Sequence, residues 1–229
     1  MIWKKIKQTL GLGGKVDHYD ADFYKNYLKA FEKHDPSTLI NNQSFVVFDT
    51  ETTGLDPAKD HILSIGAVRV CHQCINISDS LSIIIMHDGI QNPKAAVIHG
   101  LVNTKDFGIT PAEAIQKFMQ FIGSDILVGH HVAFDRVMIN NLSISCGGGS
   151  LKNPTLDTSF LARRLDKPTD PDSLDRKDYT LDKLCQRYHV VPKARHTADG
   201  DALITGLILL KLLHRLHQKG IRTVNQLMR

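Results

Sequence analysis

Phe45-Val46-Val47-Phe48-Asp49-Thr50-Glu51-Thr52-Thr53-Gly54 is the stretch from which the fold can be read. Four consecutive apolar residues mark a strand buried on both faces, as in a sheet covered by helices. The run then ends in two acids separated by one residue. Side chains two apart on a strand point to the same face, so Asp49 and Glu51 are expected side by side at the end of a buried strand. Two carboxylates placed there repel each other and lose hydration. A folded chain tolerates them where a cation neutralises the pair; alone, they also fit a plain acidic turn.

Downstream, Ile62 to Val70 and Leu81 to Ile85 read as two further strands, a meander passing through a polar turn near Cys74 and Asp79. Residues 111–122 predict a helix, with Thr110 as N-cap, Pro111 at the first position and Glu113 reaching back. Ile126-Leu127-Val128 reads as the next strand and 132–141 as the helix behind it. Gly147-Gly148-Gly149 reads as a flexible loop, 154–157 as a last short strand and 159–164 as a helical turn. Residues 166–178 read as a solvated loop, Thr180 opens another helix, and 197–217 form a long leucine-rich helix. Three strands followed by alternating helices and strands argue an α/β protein with a mixed sheet between helices.

Residues 1–43 carry helical periodicity without a strand signal and read as an N-terminal helical extension; 44–217 are the main domain and 218–229 a C-terminal tail. At the start, Ile2, Trp3, Ile6 and Leu10 fall on one helical face, with Lys4, Lys5 and Lys7 largely off it. Such a basic amphipathic helix docks on the core or a partner, or lies on an anionic membrane surface. After Gly11, Gly13 and Gly14, a second short helix is expected from Phe23, Tyr27, Leu28 and Phe31, ending before Pro36.

The chain has 229 residues, of which 42% are hydrophobic and 23% charged, enough for one soluble domain with its own core. A formal charge of +4 is compatible with a polyanionic partner and does not demand one. Four cysteines with no secretory signal favour a reducing cytoplasm. Cys71 and Cys74 form a lone C-x-x-C, which suits a turn or small thiols; zinc would want a second ligand pair. No apolar run is long enough to span a membrane.

Two more segments carry acids. Gly129-His130-His131-Val132-Ala133-Phe134-Asp135 puts a carboxylate on the first turn of a helix that follows a strand. His196-Thr197-Ala198-Asp199-Gly200-Asp201 puts a histidine just before the final helix and a carboxylate inside its first turn. Asp201 stands among Ala202, Leu203 and Ile204, where an unpaired charge is expensive. Each piece alone fits an N-cap or a satisfied polar contact.

Taken together, these segments resemble the three motifs of the DEDD-type exonuclease superfamily in its histidine subclass, the family of the proofreading epsilon subunit of bacterial DNA polymerase III. The resemblance runs from about residue 44 to 217. It implies a ribonuclease H-like fold, a mixed five-stranded sheet flanked by helices. It also implies that Asp49, Glu51, Asp135 and Asp201 are metal ligands and that His196 is the general base. Asp49 would bridge two ions, Glu51 and Asp201 would hold the ion carrying the nucleophile, and Asp135 would hold the other. Hard carboxylate oxygens suit Mg²⁺ or Mn²⁺, two ions per site, and a histidine suits proton removal from water near neutral pH. Thr52, Thr53, Gly54 and Leu55 resemble the segment that meets the terminal nucleotide, and Ile98-His99-Gly100 another that lines its pocket; His99 reads equally well as a helix-end residue before Gly100. One departure is His131, which stands where the family often carries asparagine.

The function so implied is metal-dependent 3′–5′ removal of nucleoside monophosphates from single-stranded DNA ends, in proofreading or repair, in the cytoplasm. The partners implied are a nucleic acid 3′ end and a DNA polymerase or other replication or repair protein. The same chemistry on RNA 3′ ends is the alternative, because discrimination at the sugar depends on contacts that sequence does not display. A catalytically inactive module binding nucleic acid or a partner is disfavoured by the presence of all five catalytic positions.

Overall fold

In the computed structural model, which describes residues 21–33, 38–86, 108–167 and 169–229, the opening run becomes β1, Phe45–Thr52. The strand continues past the apolar residues, so both acids are part of it. β2 (Ile62–Cys71) pairs antiparallel with β1, and β3 (Cys74–Ile84) pairs antiparallel with β2. β4 (Ile126–Gly129) joins β1 in parallel, and β5 (Thr155–Asp157) joins β4 in parallel. The result is a mixed five-stranded sheet in the order β3-β2-β1-β4-β5, as the motifs imply.

The β2–β3 connection differs from the expected turn near Cys74 and Asp79. His72 and Gln73, at φ 48° and 62°, form a two-residue loop between the paired Cys71 and Cys74. Left-handed conformation at both central residues matches the twist of the flanking strands. The C-x-x-C therefore closes a hairpin. The ladder slips where Arg69 faces Asn76 and Val68 faces Ser80, so Ile77 to Asp79 bulge out of β3. The polar residues there mark a bulge inside a strand, not a strand end.

The helices are α1 (Asp22–Lys29), α2 (Pro111–Ile122), α3 (Ala133–Ser145), α4 (Thr158–Asp166), α5 (Leu181–Tyr188), α6 (Ala198–Gln218) and the single turn α7 (Val224–Leu227). α2 carries the expected capping box between Thr110 and Glu113. α3 runs four residues further than its periodicity suggested. The Gly147–Gly149 loop behind it is tied by Gly148 N–H donating to the Ser143 carbonyl (2.9 Å) and the Ser143 hydroxyl donating to the Gly149 carbonyl (2.7 Å). Pro171–Ser173 and Arg176–Tyr179 form short 3₁₀ turns in the segment expected as solvated loop.

Strand alternation divides the core. Phe45 and Val47 face the cluster formed by α4, α5, α6 and α7, while Val46 and Phe48 face the cluster built on α1, α2 and α3. Period-two geometry then carries forward: Asp49 and Glu51 lie on the α6 side and Thr50 on the α3 side. Segments before β1 and after α6 contribute. Tyr24 and Tyr27 of α1 are buried, and the Tyr27 hydroxyl donates to Asn153 Oδ1 (2.6 Å) while accepting from Lys152 N–H (2.6 Å). In residues 218–229, expected as a tail, Val224 and Leu227 of α7 are buried in the α6 face, and Leu39 bridges Thr223. The basic helix expected over residues 1–10 lies outside the described residues. No helix among the described residues is long and apolar enough to cross a membrane.

Candidate active site

Three carboxylates converge where β1 ends beneath the start of α6. One ligand oxygen from each of Asp49, Glu51 and Asp201 lies within 4.8 Å of the others. The first two share a face of β1 by alternation. Asp201 reaches them because α6 begins directly above, with the Thr197 hydroxyl capping it by accepting from Gly200 N–H (3.1 Å). Gly200 is required there, since a Cβ would lie 1.9 Å from the Ala194 carbonyl oxygen.

The electrostatics of the group are unfavourable without a cation. Burial, and then the charges of Asp135, Asp201 and Glu51, push the Asp49 carboxyl well above the usual carboxylate range; Arg195 opposes them. Asp201 is 7% exposed, and its Oδ1 has no hydrogen-bond partner among the described residues. A buried carboxylate oxygen left bare beside two other acids is costly. A divalent cation with hard oxygen preference fits the three converging residues Asp49, Glu51 and Asp201.

The other oxygen of Asp201 pairs with Arg195 Nη1, whose Nε donates to Asp182 Oδ1 on α5 (2.7 Å). Arg195 sits in a contorted turn. Ala194 and His196 on either side take left-handed φ of 53° and 62°, and the Thr197 hydroxyl donates to the Ala194 carbonyl (2.8 Å). His196 is exposed in this turn, close enough to Asp182 to help hold that carboxyl low, after the larger effect of Arg195.

Asp135 is held apart from the converging three. It is 6% exposed, and its Oδ1 accepts from both the N–H (3.0 Å) and the hydroxyl (2.6 Å) of Thr50. β4 pairs with β1 only as far as Val47, which leaves the Thr50 N–H beyond the ladder and available to the first turn of α3. Burial pushes the Asp135 carboxyl up to about 6 against the opposing pull of Thr50. The support of Asp135 therefore comes from Thr50. His131 is exposed at φ 61°, a conformation that histidine and asparagine tolerate better than most residues. His130 is half-buried; its Nδ1 meets the Thr158 hydroxyl (2.9 Å), which donates to the Gly129 carbonyl (3.2 Å). Burial, then His131, push the His130 imidazole down to about 4, and its Nε2 is buried without a hydrogen-bond partner among the described residues.

The segment after β1 is a fixed loop. The Thr52 hydroxyl donates to the Gly54 carbonyl (2.7 Å) and that of Thr53 to Asp60 Oδ1 (2.8 Å), while Asp60 Oδ2 accepts from Asp56 N–H (2.8 Å). Leu55 projects from it at 86% exposure. His99 lies outside the described residues. Thr50, Asp60, Asp182 and Arg195 were not singled out by sequence reasoning. Thr50 had a detectable signal, a hydroxyl between two acids on an otherwise apolar strand, and so did Arg195, a cation beside the motif histidine.

The RNase_T exonuclease family profile matches residues 46–209. The PolC-type DNA polymerase III of Caldanaerobacter subterraneus subsp. tengcongensis is 32% identical over 187 residues, covering 80% of this chain and 12% of the polymerase. A DNA polymerase III subunit epsilon-like protein of Rhodobacter capsulatus is 31% identical over 190 residues, 81% of this chain and 26% of that protein. The chain thus spans a small part of the curated relatives it matches. The crystal structure of Escherichia coli Exonuclease I with a dT13 oligonucleotide superposes with a TM-score of 0.64 at 18% identity, covering 78% of this chain and 43% of that one. At that identity the likeness concerns the fold.

Proposed function

Because the chain belongs to the DEDD-type 3′–5′ exonuclease family, we propose that it hydrolyses single-stranded DNA from the 3′ end, releasing nucleoside monophosphates in proofreading or repair. The observation that carries this reading is the convergence of Asp49, Glu51 and Asp201, with the Oδ1 of Asp201 buried and bare. DNA is preferred over RNA because the relatives are DNA polymerase III proteins and the superposed enzyme is described with a deoxynucleotide oligomer.

In this reading Asp49, Glu51 and Asp201 hold Mg²⁺ or Mn²⁺, and Asp135, steadied by Thr50, serves a second ion. Bound ions of this kind neutralise phosphate charge and lower the pKa of coordinated water. Asp49, close to the charges of Asp135, Asp201 and Glu51, would be a ligand to the bound metal. His196 belongs to the histidine subclass position and takes the proton of the attacking water, from a turn open to solvent. Leu55 offers an apolar surface to the terminal base, and the backbone of Thr52 to Gly54, fixed by Asp60, sets its position. The four free thiols suit a reducing cytoplasm. A polymerase or repair protein is the partner this function calls for.

The test is digestion of 5′-labelled single-stranded DNA with Mg²⁺ or EDTA, beside RNA of the same sequence and the Asp49→Ala protein. A metal-dependent ladder shortening from the 3′ end, reduced at least about a hundredfold in the variant, is expected. Faster cleavage of RNA would move the assignment to an exoribonuclease; no cleavage of either would remove the catalytic reading.

A further inference from the structure

We propose that Arg195 is an internal counter-cation of the acidic site, one that lets the carboxylates pack together without metal and thereby weakens metal binding. This rests on the reading of Asp49, Glu51 and Asp201 as a metal site. The guanidinium spans two helices, with Nη1 on Asp201 Oδ2 at the start of α6 and Nε on Asp182 Oδ1 at the start of α5. Its side chain is 20% exposed and that of Asp201 11%, so the contact is partly withdrawn from water. There a charge pair counts for more than on an open surface.

The turn that presents Arg195 is built for it. Left-handed conformation at two non-glycine residues, Ala194 and His196 on either side of Arg195, is costly and persists only where the surroundings hold it. Here the Thr197 hydroxyl ties the turn to α6, and Gly200 lets the Ala194 carbonyl close on the helix. The guanidinium is thus delivered by the backbone to one oxygen of Asp201, while the other is buried without a partner in a residue that converges with Asp49 and Glu51.

A fixed cation at this point has two opposed effects. It offsets repulsion among the acids in the metal-free fold, and it repels an incoming divalent ion. A purely orienting role would have the opposite consequence for metal affinity, because losing it would misplace a ligand. The first turn of α6, capped by Thr197, fixes the backbone of Asp201 without Arg195, which limits how far the side chain can move when the guanidinium is lost. Repulsion is therefore the larger effect on affinity.

The experiment is calorimetric Mn²⁺ titration, with melting curves with and without Mn²⁺, on the full chain carrying Arg195→Gln, Arg195→Lys or Asp182→Asn. Arg195→Gln should melt lower without metal, bind Mn²⁺ about tenfold tighter and gain a larger Mn²⁺-induced rise in Tm. Arg195→Lys, which keeps the charge, should stay near wild type. Asp182→Asn leaves the guanidinium less compensated and should weaken Mn²⁺ binding several-fold. If Arg195→Gln does not fold even with Mn²⁺, the exposed Asp182→Asn site carries the test. Unchanged or weaker Mn²⁺ binding in Arg195→Gln, or unchanged or tighter binding in Asp182→Asn, overturns the proposal. A wild-type protein that binds no Mn²⁺ removes the metal site and this inference together, whereas normal wild-type binding with unaltered variants removes only the inference.

Discussion

Thr50 gives both its backbone N–H and its hydroxyl to a single oxygen of Asp135, at 3.0 and 2.6 Å. Thr50 lies on the opposite face of β1 from Asp49 and Glu51, so the fourth acid is anchored on the α3 side of the strand, away from the face that carries the other two. This ties the first turn of α3 to the strand that carries the other carboxylates.

Thr50→Val keeps shape and removes only the hydroxyl. The loss of one buried hydrogen bond to a carboxylate should cost about 1.5–3 kcal/mol. At roughly 2–4 °C per kcal/mol for a chain of this size, the Tm should fall by several degrees. A thermal melt decides it; an unchanged Tm would mean that the backbone N–H alone is sufficient.

Gly66 faces Asp49 across the β1–β2 ladder, and a Cβ on it would stand 2.3 Å from the carbonyl carbon of Ala198. Both partners are backbone, so the clash cannot be relieved by a side-chain rotation. Gly66→Ala should lift the start of α6 away from β1, cost about 3 kcal/mol and weaken Mn²⁺ binding together with stability. Chemical denaturation beside a metal titration measures both. A variant that loses neither would show that α6 has room to move.

The pH dependence follows from the acids. Asp135 has a folded pKa of about 6 against an ordinary 3.8, so the folded chain holds the extra proton between those values. Its contribution to stability is present below 3.8 and lost as the pH rises through 6. Asp49 shifts in the same direction. His130, pushed down to about 4 from 6.5, runs the other way and lowers stability as the pH falls through that window. The metal increment separates them, because a cation replaces the protons on the acids. Mn²⁺ should raise the Tm little at pH 5 and by several degrees at pH 7; a rise independent of pH would contradict it.

Leu227 is 1% exposed within the α6 face, and the carbonyls of Gln226 and Leu227 accept from Arg164 (2.8 Å each). Leu227→Ala should cost about 2–4 kcal/mol, measured by urea denaturation. A cost under about 0.5 kcal/mol would be that of a surface position.

Leu55 makes the contrasting case. At 86% exposure it contributes little to folding, so Leu55→Ser should leave the Tm within a degree or so. If it packs on the terminal base, KM for single-stranded DNA should rise several-fold with kcat little changed. Unaltered KM would take Leu55 out of the substrate surface.

How much of this was legible in the chain depended on the range of the interaction. β1, the capping box at Thr110 and the first turn of α6 are local, set by residues a few positions apart. The hairpin at His72-Gln73 escaped because neither residue is the usual choice for a left-handed turn, and the bulge at Ile77 to Asp79 because a slipped register leaves no mark on a single strand. α7 escaped because four residues cannot show a period; its burial depends on Leu39, Arg164 and the end of α6.

The sequence by itself determined that Asp49 and Glu51 share a face of a buried strand, because the alternation of side chains is a property of the extended backbone. It also determined that Asp135 and Asp201 each open a helix. Only the tertiary structure decided that α6 covers the face of Asp49 and Glu51, that Thr50 holds Asp135 from the other face, and that Arg195 lies on Asp201. Those are contacts between segments far apart in the chain or between side chains turned by the backbone, and they exist only once helices have been packed on a sheet of fixed twist and register.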